Sequence, residues 1–235
     1  MYYFPTQEEQ NTYDSIVAGL HTVETMLAVN GVYYNEDKLV KVNRNTGTFA
    51  ESPGIGNCIA GEVDIEMLTI SPKWSVGTRI GVWCRVKNAS QVSSWIPKGK
   101  YFIDTKEETQ REPKRLIIHG YDAMIKTGAD FNADWMADGA TELAIVQRIA
   151  QAIGVEVDED TLSVLDSVTL LPKPEDQYSM REMLSYIAVL NTGNFVISNE
   201  GKLRLLQFGV LPSDIDVLAD ENGNEITFGG YDIIV

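Results

Sequence analysis

Two cysteines, Cys58 and Cys84, and two histidines, His21 and His119, are all that the 235 residues hold of either type. A structural zinc site wants four ligands with at least one close pair, so this scarcity removes that class. A bridge between Cys58 and Cys84 on neighbouring strands stays open, but two reduced, buried thiols are the better reading in a reducing compartment. No apolar run approaches the roughly 20 residues a spanning helix needs, so no membrane insertion is expected. Residues 1–10 hold neither the basic nor the apolar stretch of a secretory leader, and the expectation is a soluble protein made in the cytoplasm. Calcium-binding EF-hand loops, HExxH helices, internal repeats and low-complexity tracts are all missing. Nothing in this inventory implies a cofactor, and none is expected.

Positive charge is the other shortage, and it is unevenly distributed. Residues 1–120 carry 14 acids and 13 Lys/Arg, a net of −1, whereas residues 121–235 carry 20 acids and 6 Lys/Arg, a net of −14. Phosphate contacts need a basic patch, so sequence-specific nucleic-acid binding is not expected. A surface that repels DNA fits the balance, and so does plain solubility.

What is present reads as strands first and helices second. After a polar stretch over 1–20, expected to be an arm or loop with one helical turn, comes a hairpin. Its strands are Thr25–Val29 and Val32–Tyr34, and its turn is Asn30-Gly31, where a type I′ turn needs positive φ at both central positions. Further strands are predicted over Lys38–Asn43, Cys58–Ile70, Arg79–Lys87, Tyr101–Thr105 and Arg115–His119. The third of these alternates plainly, with Ile80, Val82, Cys84 and Val86 on one side and Gly81, Trp83, Arg85 and Lys87 on the other. The period changes after Met124. Thr141–Ile153 has a helical stripe stopped by Gly154, and Ser179 with Glu182 forms a capping box opening a helix that ends at Asn191–Gly193. A second hairpin follows over Asn194–Ser198 and Lys202–Phe208, then two short runs, Glu225–Phe228 and Tyr231–Val235. The fold class is therefore α+β and β-rich: an antiparallel barrel interrupted by a small inserted α/β domain. The divisions are an N-terminal arm over 1–20, a discontinuous barrel over 21–120 and 209–235, and the insert over 121–208.

Motifs that could carry chemistry fall short. Gly56–Gly61 has P-loop glycine spacing, but Glu62 stands where a phosphate-binding lysine belongs. Gly54-Ile-Gly56 is too short for a dinucleotide fingerprint and enters a strand. Cys58, His119 and Asp122 can be nominated as nucleophile, base and orienting acid, with nothing local to support them. Asp158-Glu-Asp160 and Glu107-Glu108 read as solvated loop charges. Trp95–Gly99 could be a sugar-stacking platform, but a core tryptophan leading into an edge strand, with Pro97 where no ladder donor is needed, reads better.

Six stretches, taken in order, resemble the hub proteins of phage tail tips and baseplates. They are Ile55-Gly-Asn-Cys58, Trp95-Ile-Pro-Lys-Gly-Lys-Tyr-Phe-Ile-Asp-Thr105, His119-Gly-Tyr-Asp-Ala-Met124, Arg181-Glu-Met-Leu-Ser-Tyr-Ile-Ala188, Gly193-Asn-Phe195 and Gly201-Lys-Leu-Arg-Leu205. The resemblance implies a tube-type barrel with an inserted α/β domain, assembled as a trimer in which each subunit carries two related barrels. Three subunits then present a pseudo-sixfold ring to the tail tube. Only the first barrel and its insert are expected in this chain. The implied role is structural rather than enzymatic: part of the ring that closes the tail tube of a phage or prophage, through which DNA and the tape-measure protein pass at ejection. Implied partners are further copies of itself, a tail-tube or distal tail protein, the tape-measure protein, and fibre or lysin proteins. The implied location is the tail tip of the virion, after assembly in the host cytoplasm. Trp83, Tyr101 and Phe102 are the interface candidates. The alternatives are a tail-associated peptidoglycan hydrolase or endopeptidase, and a receptor- or carbohydrate-binding tail module.

Overall fold

Asn30 and Gly31 take φ of 52° and 79°, and the hairpin they turn opens the sheet. The computed structural model describes residues 4–46, 54–68, 74–110, 112–136, 139–173 and 176–208, together with the backbone of 227–228 and 231–232. Its strands are β1 (Thr22–Val29), β2 (Val32–Tyr34), β3 (Leu39–Asn45), β4 (Glu62–Leu68), β5 (Arg79–Lys87), β6 (Ile96–Glu108) and β7 (Arg115–Tyr121). They form one seven-stranded antiparallel sheet in the order β2-β1-β5-β6-β7-β4-β3.

Alternation decides which face is dry. Leu27, Ile65, Ile80, Val82, Ile103 and Ile118 all point to one side and are at most 2% exposed. Each such side chain contributes about 1.5–3 kcal/mol by leaving water. Tyr34 from β2 and Leu39 and Val42 from β3 join the same interior, so both ends of the sheet curl around it. The Tyr34 and Trp74 rings meet edge to face at 5.3 Å inside that curl. Among the described residues no ladder joins β3 to β1 or β2, so the curl is open rather than a closed barrel.

Two expectations about this half need correcting. The stretch before Thr22 holds an eleven-residue helix, α1 (Gln7–Val17), capped by Thr6, whose side chain accepts from the Glu9 N–H. It buries only Ile16, too little apolar signal to show as a stripe. Pro97 does not precede an edge strand, because β6 lies between β5 and β7. Pro97 sits opposite Trp83 where the β5–β6 register shifts, and that bulge spares the missing N–H.

The remaining described elements build a lobe with its own interior. Asp122 caps a 3₁₀ helix over Ala123–Gly128, and a second covers Ala133–Met136. Then come α2 (Glu142–Ile153), α3 (Glu159–Val164), α4 (Met180–Leu190) and a hairpin of β8 (Gly193–Ile197) and β9 (Leu203–Gln207). Gly154 closes α2 at φ 78°, and both bonds of the Ser179–Glu182 capping box are present on α4. Ile145, Ile149, Leu184, Ile187, Phe195 and Leu203 are essentially unexposed at its centre. Cys58 and Ala60, from the segment before β4, belong to this interior and not to the sheet's. At the far end β10 (Thr227–Phe228) pairs with β11 (Tyr231–Asp232), and with nothing else among the described residues. The rest of the predicted runs Glu225–Phe228 and Tyr231–Val235 lies outside the described residues, as do residues 69–70 of the predicted strand Cys58–Ile70.

Candidate functional site

The segment Gly54–Gly61 lies between sheet and lobe and is bonded to both. Asn57 N–H donates to Asn194 Oδ1 at 2.8 Å, and Asn194 Nδ2 donates to the Gly54 carbonyl at 2.9 Å. Gly56 N–H donates to the Gly193 carbonyl at 2.9 Å, and Phe195 N–H to that of Asn57 at 3.0 Å. The segment thus extends the β8–β9 hairpin by one short run. Asn194 is fully buried, so its amide is committed to this seam.

Asp122 ties the opposite end. Its carboxylate accepts from Gly61 N–H at 2.8 Å and Met124 N–H at 2.9 Å, while its own N–H donates to the Gly61 carbonyl at 2.9 Å. Burial pushes its carboxyl up to about 7, against the pull of those two N–H groups and of Arg181. Arg181 donates to the Met124 carbonyl at 3.2 Å and to Thr127 Oγ1 at 3.3 Å, which holds α4 over the same turn.

The glycines here are explained by close approach. Gly56 stands at φ 88°, and a Cβ there would lie 2.6 Å from Val189 Cγ2. A Cβ on Gly61 would lie 2.6 Å from Asp122 Oδ2. The P-loop-like spacing is therefore a packing requirement between segment and lobe.

Of the residues nominated for chemistry, none forms a working group. Burial, chiefly, raises the Cys58 thiol, which sits in the lobe interior beside Ser185. His119 lies on the outer face of β7, where its Nδ1 meets Asp64 Oδ1 at 2.8 Å. Asp122 faces backbone N–H groups instead of an imidazole. Cys58 and Cys84 are both free thiols. Asp158 and Asp160 depart from the expected loop charges: Asp158 caps α3, and the pair faces Arg204 at 3.9 and 3.0 Å. Among the described residues no group of three or more His, Cys, Asp or Glu is placed to hold a metal ion. No helix among them is long and apolar enough to cross a membrane.

The three interface candidates occupy different places. Tyr101 is 3% exposed in the sheet's interior, its ring lying over Gly99. Trp83 is on the outer face, lying across Gly81, where an added Cβ would overlap the indole. Phe102, also outward, packs against the lobe with Lys126 Nζ 4.0 Å from its ring centroid. Trp95 is half-buried, and the Arg85 guanidinium covers its ring at 4.5 Å, so it offers no bare stacking platform. The junction residues Gly56, Asn194 and Arg181 carried no assigned role in the sequence reading. Their signal was the set of resembling stretches, of which four meet in this seam.

No protein-family model matches the sequence, and no curated protein matches it. Solved structures do. A 43 kDa tail protein of prophage MuSo2 from Shewanella oneidensis aligns over 84% of this chain at 14% identity, with a TM-score of 0.51. A tail protein from Neisseria meningitidis MC58 aligns over 86% at 13% identity, also with a TM-score of 0.51. The chain spans 59% and 58% of the lengths of these two proteins. At such identities the likeness is one of fold, and it is to phage and prophage tail proteins.

Proposed function

We propose that this protein is a structural component of a phage or prophage tail, and that within the tail it belongs to the hub or tip. The observation that carries the reading is the alignment of most of the chain, sheet and lobe together, with two tail proteins. Its curled sheet serves as one wall of a tube-type barrel, and copies of the chain, as a homotrimer, form a ring on the tail tube or a distal tail protein. The role is not catalytic. The separate surroundings of Cys58, His119 and Asp122 support that view.

The sheet interior is filled by apolar side chains. Any conduit for DNA and the tape-measure protein therefore runs between copies and not through one chain. A carboxylate-rich bore would keep DNA from sticking, since like charge removes the gain from counterion release. Contacts between copies should be apolar and aromatic at their centre. Tyr178, Tyr186, Val189 and Leu190, on and beside the outer side of α4, are exposed and supply such a surface, and Trp83 adds a half-buried ring on the sheet.

The test is immunogold electron microscopy of particles from the encoding organism, with antibody against residues 1–235. Label confined to the distal end of a tail is the expected result. Unlabelled particles beside abundant soluble protein would overturn the reading.

A further inference from the structure

The curl of the sheet is drawn together at one corner and gapes away from it. Only the turn of residues 35–38 separates β2 from β3, and the Lys38 and Leu39 N–H groups donate there to the Asn35 carbonyl at 2.9 and 3.0 Å. The chain thus steps from one end of the strand order to the other at this corner. Beyond it the two edges part. β2 pairs with residues 27–29 of β1 and no further, so residues 22–26 pair with β5 alone. β3 pairs with β4 alone. Among the described residues no backbone hydrogen bond reaches the free sides of residues 23–26 or 40–44. Between these edges lies an open slot of about 240 Å³, lined by Thr25, Val42, Arg44 and Cys84 and reaching Val82 of the sheet's interior.

Exposed edges are ordinarily blunted by a charge, a proline or a bulge that discourages further pairing. Here the charges nearest the slot are turned elsewhere. Arg44 donates to the Lys98 carbonyl and, at 3.3 Å, to Asn199 Oδ1, while Glu24 is tied to Arg85 and Lys87 on the outer face. Lys41 and the bulge between Leu39 and Lys41 guard β3 only at its corner end. The direction of the edges also matters. The ladders β1–β5, β5–β6, β6–β7, β7–β4 and β4–β3 are all antiparallel, so β1 and β3 run in opposite directions. A single added strand would be parallel to one of them. A hairpin offers each edge an antiparallel partner.

The chain owns a hairpin without a sheet. β10 and β11 pair through Thr227 with Asp232 and Phe228 with Tyr231, and among the described residues with nothing else. A lone two-stranded hairpin is marginal in water and needs a further strand to persist. Both free edges of its own chain are described, and it lies on neither. Residues 209–226 precede it, and at about 3.3 Å per residue they span at most about 60 Å, enough to reach a neighbour. We infer that the β10–β11 hairpin of one copy inserts into the slot between β1 and β3 of a second copy. Main-chain hydrogen bonds along the two free edges supply the affinity, with no match of charge required. The contact is heterologous, hairpin on one copy and slot on the next, so repetition about an axis closes a ring. This rests on the ring reading above and names the contact that would build it.

Hydrogen exchange of the full chain over a concentration series, with sedimentation velocity on the same samples, supplies the test. Free-side amides of residues 23–26 and 40–44 are expected to gain protection as copies associate and to lose it on dilution. Association should survive high salt, because no ion pair carries it. Phe228→Pro removes a ladder donor from the hairpin and should weaken association by about 10–100-fold, with the melting of sheet and lobe unchanged. Val23→Lys, at a position 56% exposed and on the same side of β1 as Thr25, should do the same by placing a charge at the slot. Mixing these two variants should give pairs and nothing larger, since each keeps one half of the contact. Edge protection that is complete in the monomer at every dilution means that the chain's own hairpin fills the slot, and it overturns the inference. So does an associated state with unprotected edges, a wild type that stays monomeric throughout, or Phe228→Pro assembling like wild type. Tail-tip label with unaltered assembly of Phe228→Pro removes the strand contact alone. Hairpin-dependent assembly without tail label removes the tail reading alone.

Discussion

The sheet and the lobe solve the same burial problem by different means. In the sheet a two-residue period sends apolar side chains inward and leaves charges on an outer face where they largely meet opposite charges, as Glu24 does with Arg85 and Lys87. In the lobe, helical stripes on α2 and α4 close over the β8–β9 hairpin, and 14 acids face only 6 Lys/Arg over residues 121–208, a net of −8. Residues 1–120 are close to neutral, and the net charge of −15 comes from the lobe, at −8, and from residues 209–235, at −6. Two unlike surfaces therefore meet, and the seam between them is made of backbone hydrogen bonds, the buried Asn194 amide and the buried Asp122 carboxylate.

The largest effects should come from the two interiors. Ile65→Ala in the sheet and Leu184→Ala in the lobe, at 1% and 0% exposure, should each cost about 2–5 kcal/mol. Chemical denaturation followed by probes in each half tells whether the halves are coupled. A single shared transition for both variants means the seam binds them into one cooperative unit. Separate transitions, each moved by only one variant, would break that picture.

Next come the seam residues. Asn194→Ala leaves the Asn57 N–H without its partner and takes one of two donors from the Gly54 carbonyl, which keeps the Asn57 amide, and should cost about 1–3 kcal/mol. Gly56→Ala should cost as much, because strain at positive φ is about 1–3 kcal/mol and the new methyl strikes Val189. Hydrogen exchange should show the Gly54–Gly61 amides opening while the β5–β6 amides stay protected. Equal loss of protection in both places would deny the seam a separate role.

A third test uses pH. The Asp122 carboxyl is raised from 3.8 to about 7 in the folded protein, so the folded state holds the proton more tightly than the unfolded chain. Its contribution is fully present below about pH 3.8 and is lost as pH rises through 7. Relative to Asp122→Asn, wild type should gain stability steadily as pH falls between those limits. Parallel stability profiles for the two proteins would show that burial does not govern this carboxyl. The smallest change is expected from Glu24→Gln on the outer face, within about 1 kcal/mol and diminishing with salt. A larger, salt-insensitive loss would mean that the outer-face charges hold the sheet together.

Local chemistry was legible in the chain, and distant chemistry was not. Asn30-Gly31 announces its hairpin because positive φ at two adjacent positions is a property of those residues alone. Ser179 and Glu182 announce the start of α4 because both bonds of the box close within one turn. α1 escaped because one buried residue makes no stripe. Its cap, Thr6, was readable in principle. Pro97 misled because a proline implies an edge only when no bulge is available, and the bulge depends on β5. The glycines of Gly54–Gly61 were visible, but their purpose depends on Val189 and Asp122, 133 and 61 positions away from Gly56 and Gly61.

By itself the sequence determined the antiparallel, strand-rich class, the placement of most strands and of α2 and α4, and the acidity of the second half. Those follow from period, turn residues and counting, each of which acts over a few neighbouring positions. Only the tertiary structure decided that Cys58 and Ala60 serve the lobe, that Tyr101 lies inside while Trp83 and Phe102 lie outside, and that Thr25, Val42 and Cys84 share one slot. Each of these depends on which distant segments are brought to the same few ångströms, and burial and charge act through that proximity.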